Sequence, residues 1–589
     1  MKILLQYLKP QRKLLFLALI LAAINQSFSL LDPFIAGKMI QKLGVEHAQY
    51  AGDSQRFIHD LLRFLLMLVG VAMVSRIAKN FQDYFTNVVI QRTGANMYTD
   101  GVKHSLQLSY EVFEDQRSGE TLGKLQKVRT DSEKFITSFI TIFFQSLVGV
   151  VFVMIYAINQ HWLIGPLFLV SVPLLAIISN LLSKKIKTIS KKILGATTSL
   201  AGSTTESLRN IELVKGLGLV DQEVDRLNNT TTKILGLELK KVKYIRSLSF
   251  VQGTTVNLLR TCLVGFLYYL IFKDQIKVEG LMTLMFYSFF IFGPLQEIGN
   301  VIASYRESQA SLANFEEILA TPKEPIPAHP KKLGNLQEFS YKNVSFRHRS
   351  AQSNALTNIS FKVNKGETIA FVGPSGSGKT TMVKLLIGLY KPTEGNVFYD
   401  DLDSNEIDLR DLRQQIGFVS QDSQLFAGTI RENLLFVKPD ATDEEIMNAL
   451  NMAACQKLLA RAELGIHTTI GEGGIKISGG EKQRLSIARA LLRKPNVLIM
   501  DEATSALDSI TEEEITETVK GIHRSERIMT VLIAHRLSTV MHADRIYVLE
   551  QGQLAEQGNH AQLLAEKGLY YAMWRQQIGE RKVKDPMFN

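Results

Sequence analysis

The octapeptide GPSGSGKT at Gly373–Thr380 has the residue types and the spacing to hold phosphate. It completes the pattern G-x-x-x-x-G-K-[ST], with an apolar run (TIAFV, Thr368–Val372) leading in and a helical run (TTMVKLLIGLY) leading out. Glycines let backbone N–H groups turn inward around phosphate oxygens, and the following helix adds the positive end of its dipole. In such a loop Lys379 reaches the β- and γ-phosphates of a nucleotide, and the Thr380 hydroxyl ligates Mg²⁺. A second stretch, VLIMDE (Val497–Glu502), runs four apolar residues into two acids. A carboxylate at the end of a buried strand is costly unless something cationic meets it. Beside a phosphate loop, Asp501 fits an Mg²⁺ ligand and Glu502 a group that orients or deprotonates the attacking water. The plainer alternative for Glu502 is a cap for the next helix. Between the two lies ISGGEKQR (Ile477–Arg484), a Ser-Gly-Gly before a helical run, which is a second anion-binding helix start.

These groups need a scaffold, and the composition says that only part of the chain supplies it. At 589 residues two or more domains are expected. A hydrophobic share of 46% with mean hydropathy +0.05 fits a membrane half joined to a soluble half. Two cysteines, Cys262 and Cys455, are too few for a disulfide framework and lie in no zinc-spaced cluster.

Apolar stretches near the ~20 residues that a spanning helix needs occur at Leu14–Ile35, Leu61–Phe81, Phe135–Ile158, Leu163–Leu182, Ser247–Phe272 and Leu281–Ser304. The first ends in Asp32 and Pro33, without a small-residue cleavage pattern, so it reads as an anchor. The opening MKILLQYLKP reads as a short amphipathic helix on the membrane surface. Lysines and arginines crowd the segments around Arg92–Lys134 and Ser183–Arg246 and are absent from Asn159–Trp162. The positive-inside rule therefore puts the two long segments and both termini in the cytoplasm. This distribution also explains the net charge of +10, and nucleic acid is not an expected partner. Apolar residues at helical spacing, such as Leu208, Ile211 and Val214, continue the helices beyond the membrane. The Pro- and Lys-rich TPKEPIPAHPKKLG is a linker, after which short strand-like and helical runs alternate. The expected architecture is an α-helical six-span transmembrane domain with long cytoplasmic helix extensions over 1–320, a linker over 321–335, and an α/β P-loop nucleotide-binding domain over 336–589.

On these motifs the chain resembles the ATP-binding cassette family of exporters, nearly end to end. The resemblance matches Gly373, Pro374, Ser375, Gly376, Ser377, Gly378, Lys379, Thr380 and Thr381 to its phosphate loop. Gln421 in VSQD falls on the Q-loop, and Ser478, Gly479 and Gly480 on the signature. Asp501 and Glu502 follow, then SALD (Ser505–Asp508) on the D-loop and His535 in IAHRLS on the switch histidine. What this implies is a dimer of two copies, a heterodimer being the alternative. ATP would lie between Lys379 of one copy and Ser478 and Gly480 of the other. Thr380, Gln421 and Asp501 would hold Mg²⁺, and Glu502, His535 and Gln421 would act at the γ-phosphate. Glu472 in TIGEGG resembles the X-loop contact, and turns near Tyr110–Gln116 and Leu217–Gln222 the coupling helices. The implied activity is ATP-driven export or flipping of a hydrophobic or amphipathic substrate (lipid, drug or peptide) across the cell (inner) membrane. An ATP-gated channel or regulator is the alternative from another class.

The chain departs from the family pattern where a tyrosine usually stacks on adenine: after NVSF (Asn343–Phe346) stands His348. An imidazole stacks on a base with less area than a phenol ring, which implies weaker nucleotide binding. A solvated loop histidine is the alternative. The signature carries Ile477 for the usual Leu and Glu481 for the usual Gln. In the fifth span Arg260 is a charge at mid-bilayer, so it faces either a cavity, favouring an anionic or amphipathic cargo, or an internal partner. No protease domain precedes the first span, which argues against a leader-peptide-processing exporter.

Overall fold

The computed structural model describes residues 1–578 apart from 116–117, 350, 422, 472–473, 503–508 and 535. The chain forms two compact units, one of Met1–Gln107 and Gln116–Thr321, the other of Leu108–Asp115 and Pro322–Asn589.

The first unit is helical. Among the described residues, five helical stretches are long and apolar enough to cross a membrane: Lys2–Val45, Ser54–Leu106, Thr121–Gln160, Val220–Phe272 and Val278–Ala320. The expected span Leu163–Leu182 falls in the helix Ile164–Arg209, much of whose apolar part lies outside the described side chains. The helices Ser54–Leu106 and Val220–Phe272 each have 53 residues. At 1.5 Å per residue each is about 80 Å long, against roughly 30 Å of bilayer hydrocarbon, so both continue well beyond it. Asp53 starts the first of these by accepting from the Arg56 N–H at 3.0 Å. Helix pairs are pinned by polar contacts that have no water to compete with them. Ser75 donates to Asn25 Oδ1 (2.9 Å), Gln145 to Gln82 Oε1 (2.9 Å), and Tyr287 to the Leu30 carbonyl (2.8 Å). Phe16, Leu66, Val69 and Phe250 lie exposed on these helices, as residues facing lipid or a second chain do.

The second unit is built on a six-stranded sheet in the order Gln553–Gly558, Arg545–Glu550, Thr368–Val372, Met529–Ile533, Val497–Asp501, Ile416–Val419. All its pairings are parallel except that of the first strand. The three central strands are buried at every residue. This is why they read as unbroken apolar runs: both faces are covered. Ala370, Val372, Leu498, Met500 and Leu532 pack into a core with helices such as Gly479–Leu492. The alternate residues Ile369, Phe371, Val497, Ile499 and Val531 pack into a second core. That core is shared with an antiparallel sheet of Leu356–Asn364, Glu338–Phe346, Glu394–Tyr399 and Leu402–Asp403. The register aligns Phe371, Ile533 and Asp501, so the phosphate loop and the two acids leave the sheet at one edge.

Candidate nucleotide site

At that edge the strand Thr368–Val372 turns through the glycine-rich loop into the helix Lys379–Leu386. Gly378 holds φ +100°, and a Cβ there would stand 2.6 Å from Leu356 Cδ2 and 2.8 Å from the Ala355 carbonyl oxygen. Only glycine fits this turn. Lys379 is buried, and its Nζ donates to the Gly373 and Pro374 carbonyls at 2.9 and 3.0 Å. Burial pulls its ammonium below the ordinary lysine range, against the Glu502 and Asp501 carboxylates, which hold it up. Ser377 Oγ is buried and has no hydrogen-bond partner among the described residues. A buried cation and an unpaired hydroxyl in a nest of backbone amides fit a nucleotide's phosphates.

Asp501 is buried at the end of its strand. Glu502 then takes φ +49°, a left-handed conformation that costs a non-glycine residue roughly 1 kcal/mol or more. Its N–H donates to the Ile533 carbonyl at 3.0 Å, which fixes the turn. The outcome is visible in a cavity of about 300 Å³ whose lining includes Glu502, Lys379, Thr380, Thr381, Ser375 and His348. Thr380, Asp501 and Gln421 offer oxygen donors of the kind Mg²⁺ takes, and the metal would add Lewis-acid polarisation of phosphate oxygens. Gln421 is exposed just beyond the strand Ile416–Val419, outside the cavity lining.

His348 reaches the cavity from the antiparallel sheet, held edge-on to Phe346 (5.0 Å, 83°) and to Tyr390 (5.4 Å, 88°). Phe346 and Tyr390 are themselves stacked at 4.7 Å and 13°. Tyr390 donates to Glu114 in the short helix Tyr110–Asp115, and Lys384 donates to the same carboxylate at 2.9 Å. Burial alone would raise the Glu114 carboxyl, but these two bonds outweigh it and hold it below the usual range. Burial and the Glu114 acceptor push the Tyr390 phenol up to about 12. Arg349 pairs with Glu111 at 3.2 Å. Neither Tyr390 nor Lys384 carries a motif, and their pairing with a segment some 270 residues earlier left no local signal beyond the acids of YEVFED.

The signature segment does not line this cavity. Ser478 caps the helix Gly479–Leu492, its Oγ accepting from the Glu481 N–H (3.3 Å) while the Glu481 carboxylate accepts from the Ser478 N–H (2.8 Å). Glu481 also meets Arg461 at 2.8 Å. Glu481 thus fills the capping-box position, which a Gln also can, and its charge is met by Arg461. Gly480 is buried against Thr511, whose Cγ2 would lie 2.6 Å from a Cβ. Glu472, Ser505–Asp508 and His535 lie outside the described residues. Arg260, in the helical unit, places its guanidinium over the Phe289 ring at 3.9 Å.

Two family models match the chain: ABC transporter transmembrane region over residues 15–295, and ABC transporter over 356–505. It is 32% identical over 529 residues to "Probable multidrug resistance ABC transporter ATP-binding/permease protein YheI" of Bacillus subtilis (strain 168), which covers 87% of this chain and 88% of that one. It is 36% identical over 383 residues to "Heavy metal tolerance factor 1" of Caenorhabditis elegans, covering 64% of this chain and 47% of that protein, about half its length. The solved "Structure of a bacterial Atm1-family ABC exporter with ATP bound" superposes with TM-score 0.85 at 28% identity, over 96% of this chain and 99% of that one.

Proposed function

The chain belongs to the ABC transporter family, as an exporter-type half-transporter with ATPase activity, and on that premise we propose that two copies pump a hydrophobic or amphipathic substrate across the cell (inner) membrane. The observation that carries this reading is the division of the nucleotide site. Lys379 and Glu502 share one cavity, while the capped helix start at Ser478–Gly480 stands outside its lining. Such a helix start binds anions, and a second copy brings it opposite the phosphates.

Lys379 gives up its loop carbonyls for phosphate oxygens, and the loop amides and Ser377 Oγ complete the cradle. Thr380, Asp501 and Gln421 would hold Mg²⁺, which would supply neutralisation of phosphate charge. Glu502, locked by its left-handed turn, accepts the proton of the attacking water. His535 holds the γ-phosphate, and His348 packs on the base. Nucleotide bridging two copies favours the closed pair, and hydrolysis removes the bridge. Six spans, the fourth within Ile164–Arg209, form the translocating domain of each copy, with both termini and the nucleotide units cytoplasmic. The segment Tyr110–Asp115, tied to the nucleotide unit through Glu114 and Glu111, carries the change to the membrane helices. ATP-dependent accumulation of substrate against a gradient in proteoliposomes tests the reading. A passive flux that ATP merely switches on would contradict it.

A further inference from the structure

The helical unit holds a second chemical feature that the nucleotide site does not explain. A cavity of about 580 Å³, within the range of small-molecule sites, opens between the helices Arg12–Met39, Ser54–Leu106 and Val278–Ala320. Asp32 and Ser29 line it from the first helix, Val69 from the second, and Phe286 and Phe290 from the third. Asp32 lies inside the apolar stretch Leu14–Ile35, where an ionisable side chain is expensive and needs a reason. Its buried Oδ1 has no hydrogen-bond partner among the described residues. The two lysines that follow on the same helical stretch are engaged elsewhere. Lys38 lies on the Phe34 ring at 4.5 Å, and Lys42 pairs with Asp60 at 2.9 Å.

Pro33, the next residue, has no N–H to return to the Ser29 carbonyl one turn back. The polar residues of the wall are Asp32, a carboxylate, and Ser29, and among the described residues no basic side chain lines it. The rest is apolar and aromatic, and ring faces attract cations. Arg260 does not reverse this sign, because its charge sits on Phe289 and it is not part of the lining.

We infer that this cavity is a binding site for lipophilic organic cations, with Asp32 as the charge that selects them and Phe286 and Phe290 as the aromatic wall. This rests on the export reading and narrows its substrate class. The full-length protein in lipid nanodiscs, without nucleotide, is titrated with radiolabelled tetraphenylphosphonium and, in parallel, with tetraphenylborate, an anion of the same shape. Partition into empty nanodiscs is subtracted. The expected result is saturable phosphonium binding, weakened about tenfold or more by Asp32→Asn and kept by Asp32→Glu, with no matching borate binding, since one lost charge contact of ~1.4 kcal/mol is tenfold in affinity. Equal binding of both ions by the wild-type chain overturns the inference whether or not a variant folds. So does unchanged phosphonium binding by Asp32→Asn. ATP-driven phosphonium accumulation is measured separately in proteoliposomes. Asp32-dependent binding without accumulation would support the site and contradict the pump.

Discussion

The two units of this chain solve opposite problems. The nucleotide unit buries both faces of its central strands and fixes its reactive groups by backbone: a left-handed Glu502, a Gly378 with no room for a side chain, a capped Ser478. The helical unit leaves long apolar faces uncovered and joins its helices through apolar clusters, such as Leu30, Val153, Leu263 and Tyr287, and a few polar contacts. Chemistry that must act on one atom is held by backbone turns and caps with fixed geometry. A body that must change shape is held by contacts that are individually weak.

That contrast can be broken at several points. Glu502→Gln should lower ATP turnover by about two orders of magnitude or more, the usual contribution of a positioned general base, while nucleotide still binds. A phosphate-release assay beside nucleotide binding checks it, and undiminished turnover would remove Glu502 from the role. Gly378→Ala forces a side chain into φ +100° against Leu356 and the Ala355 carbonyl. It should cost roughly 1–3 kcal/mol of stability in the nucleotide unit, read as a lower unfolding temperature, and weaken nucleotide binding with it. Ser478→Ala removes the helix cap and should cost about 1 kcal/mol in the same assay.

The cap also has a pH signature. Burial opposes it, but the Ser478 and Arg461 contacts hold the Glu481 carboxyl below its ordinary value of 4.5. Its contribution is therefore complete above about pH 4.5 and is lost as the pH falls through the lowered value. The difference between the Glu481→Gln variant and the parent should shrink on acidification. In the helical unit, Gln82→Leu removes the acceptor of Gln145 and should cost only about 0.6 kcal/mol, typical of an interhelical hydrogen bond in a membrane. Loss of assembly on this change would show that the helical unit is as tightly specified as the nucleotide unit.

What could be read from the sequence divides along the same line. The phosphate loop, the acid pair and the capped signature are legible because particular residue types are required at fixed spacing, and the strand runs fix where the sheet delivers them. The helical stretches are legible from length and apolarity alone. The left-handed turn at Glu502 was not, since it depends on the Ile533 carbonyl accepting its N–H across the sheet. Asp32 appears in the sequence only as the polar end of a span. Its meaning depends on Phe286 and Phe290, some 250 residues later, and the one local hint is an acid before proline inside an apolar run. His348 stands out in the sequence as a departure, but Tyr390, which holds it, carries no signal until the strand Glu338–Phe346 and the segment after the helix Lys379–Leu386 are packed together.

The central claim is that ATP closes two copies around shared sites. It is tested most directly by the distance between the copies' nucleotide units. Spin labels are placed at Leu464→Cys, an exposed position, in a background with Cys262 and Cys455 replaced and Glu502→Gln present. Pulsed electron resonance in nanodiscs should show ATP–Mg²⁺ converting the distance distribution to a single shorter one, and Ser478→Arg should prevent this. A distribution that stays unchanged while ATP is bound would contradict the account.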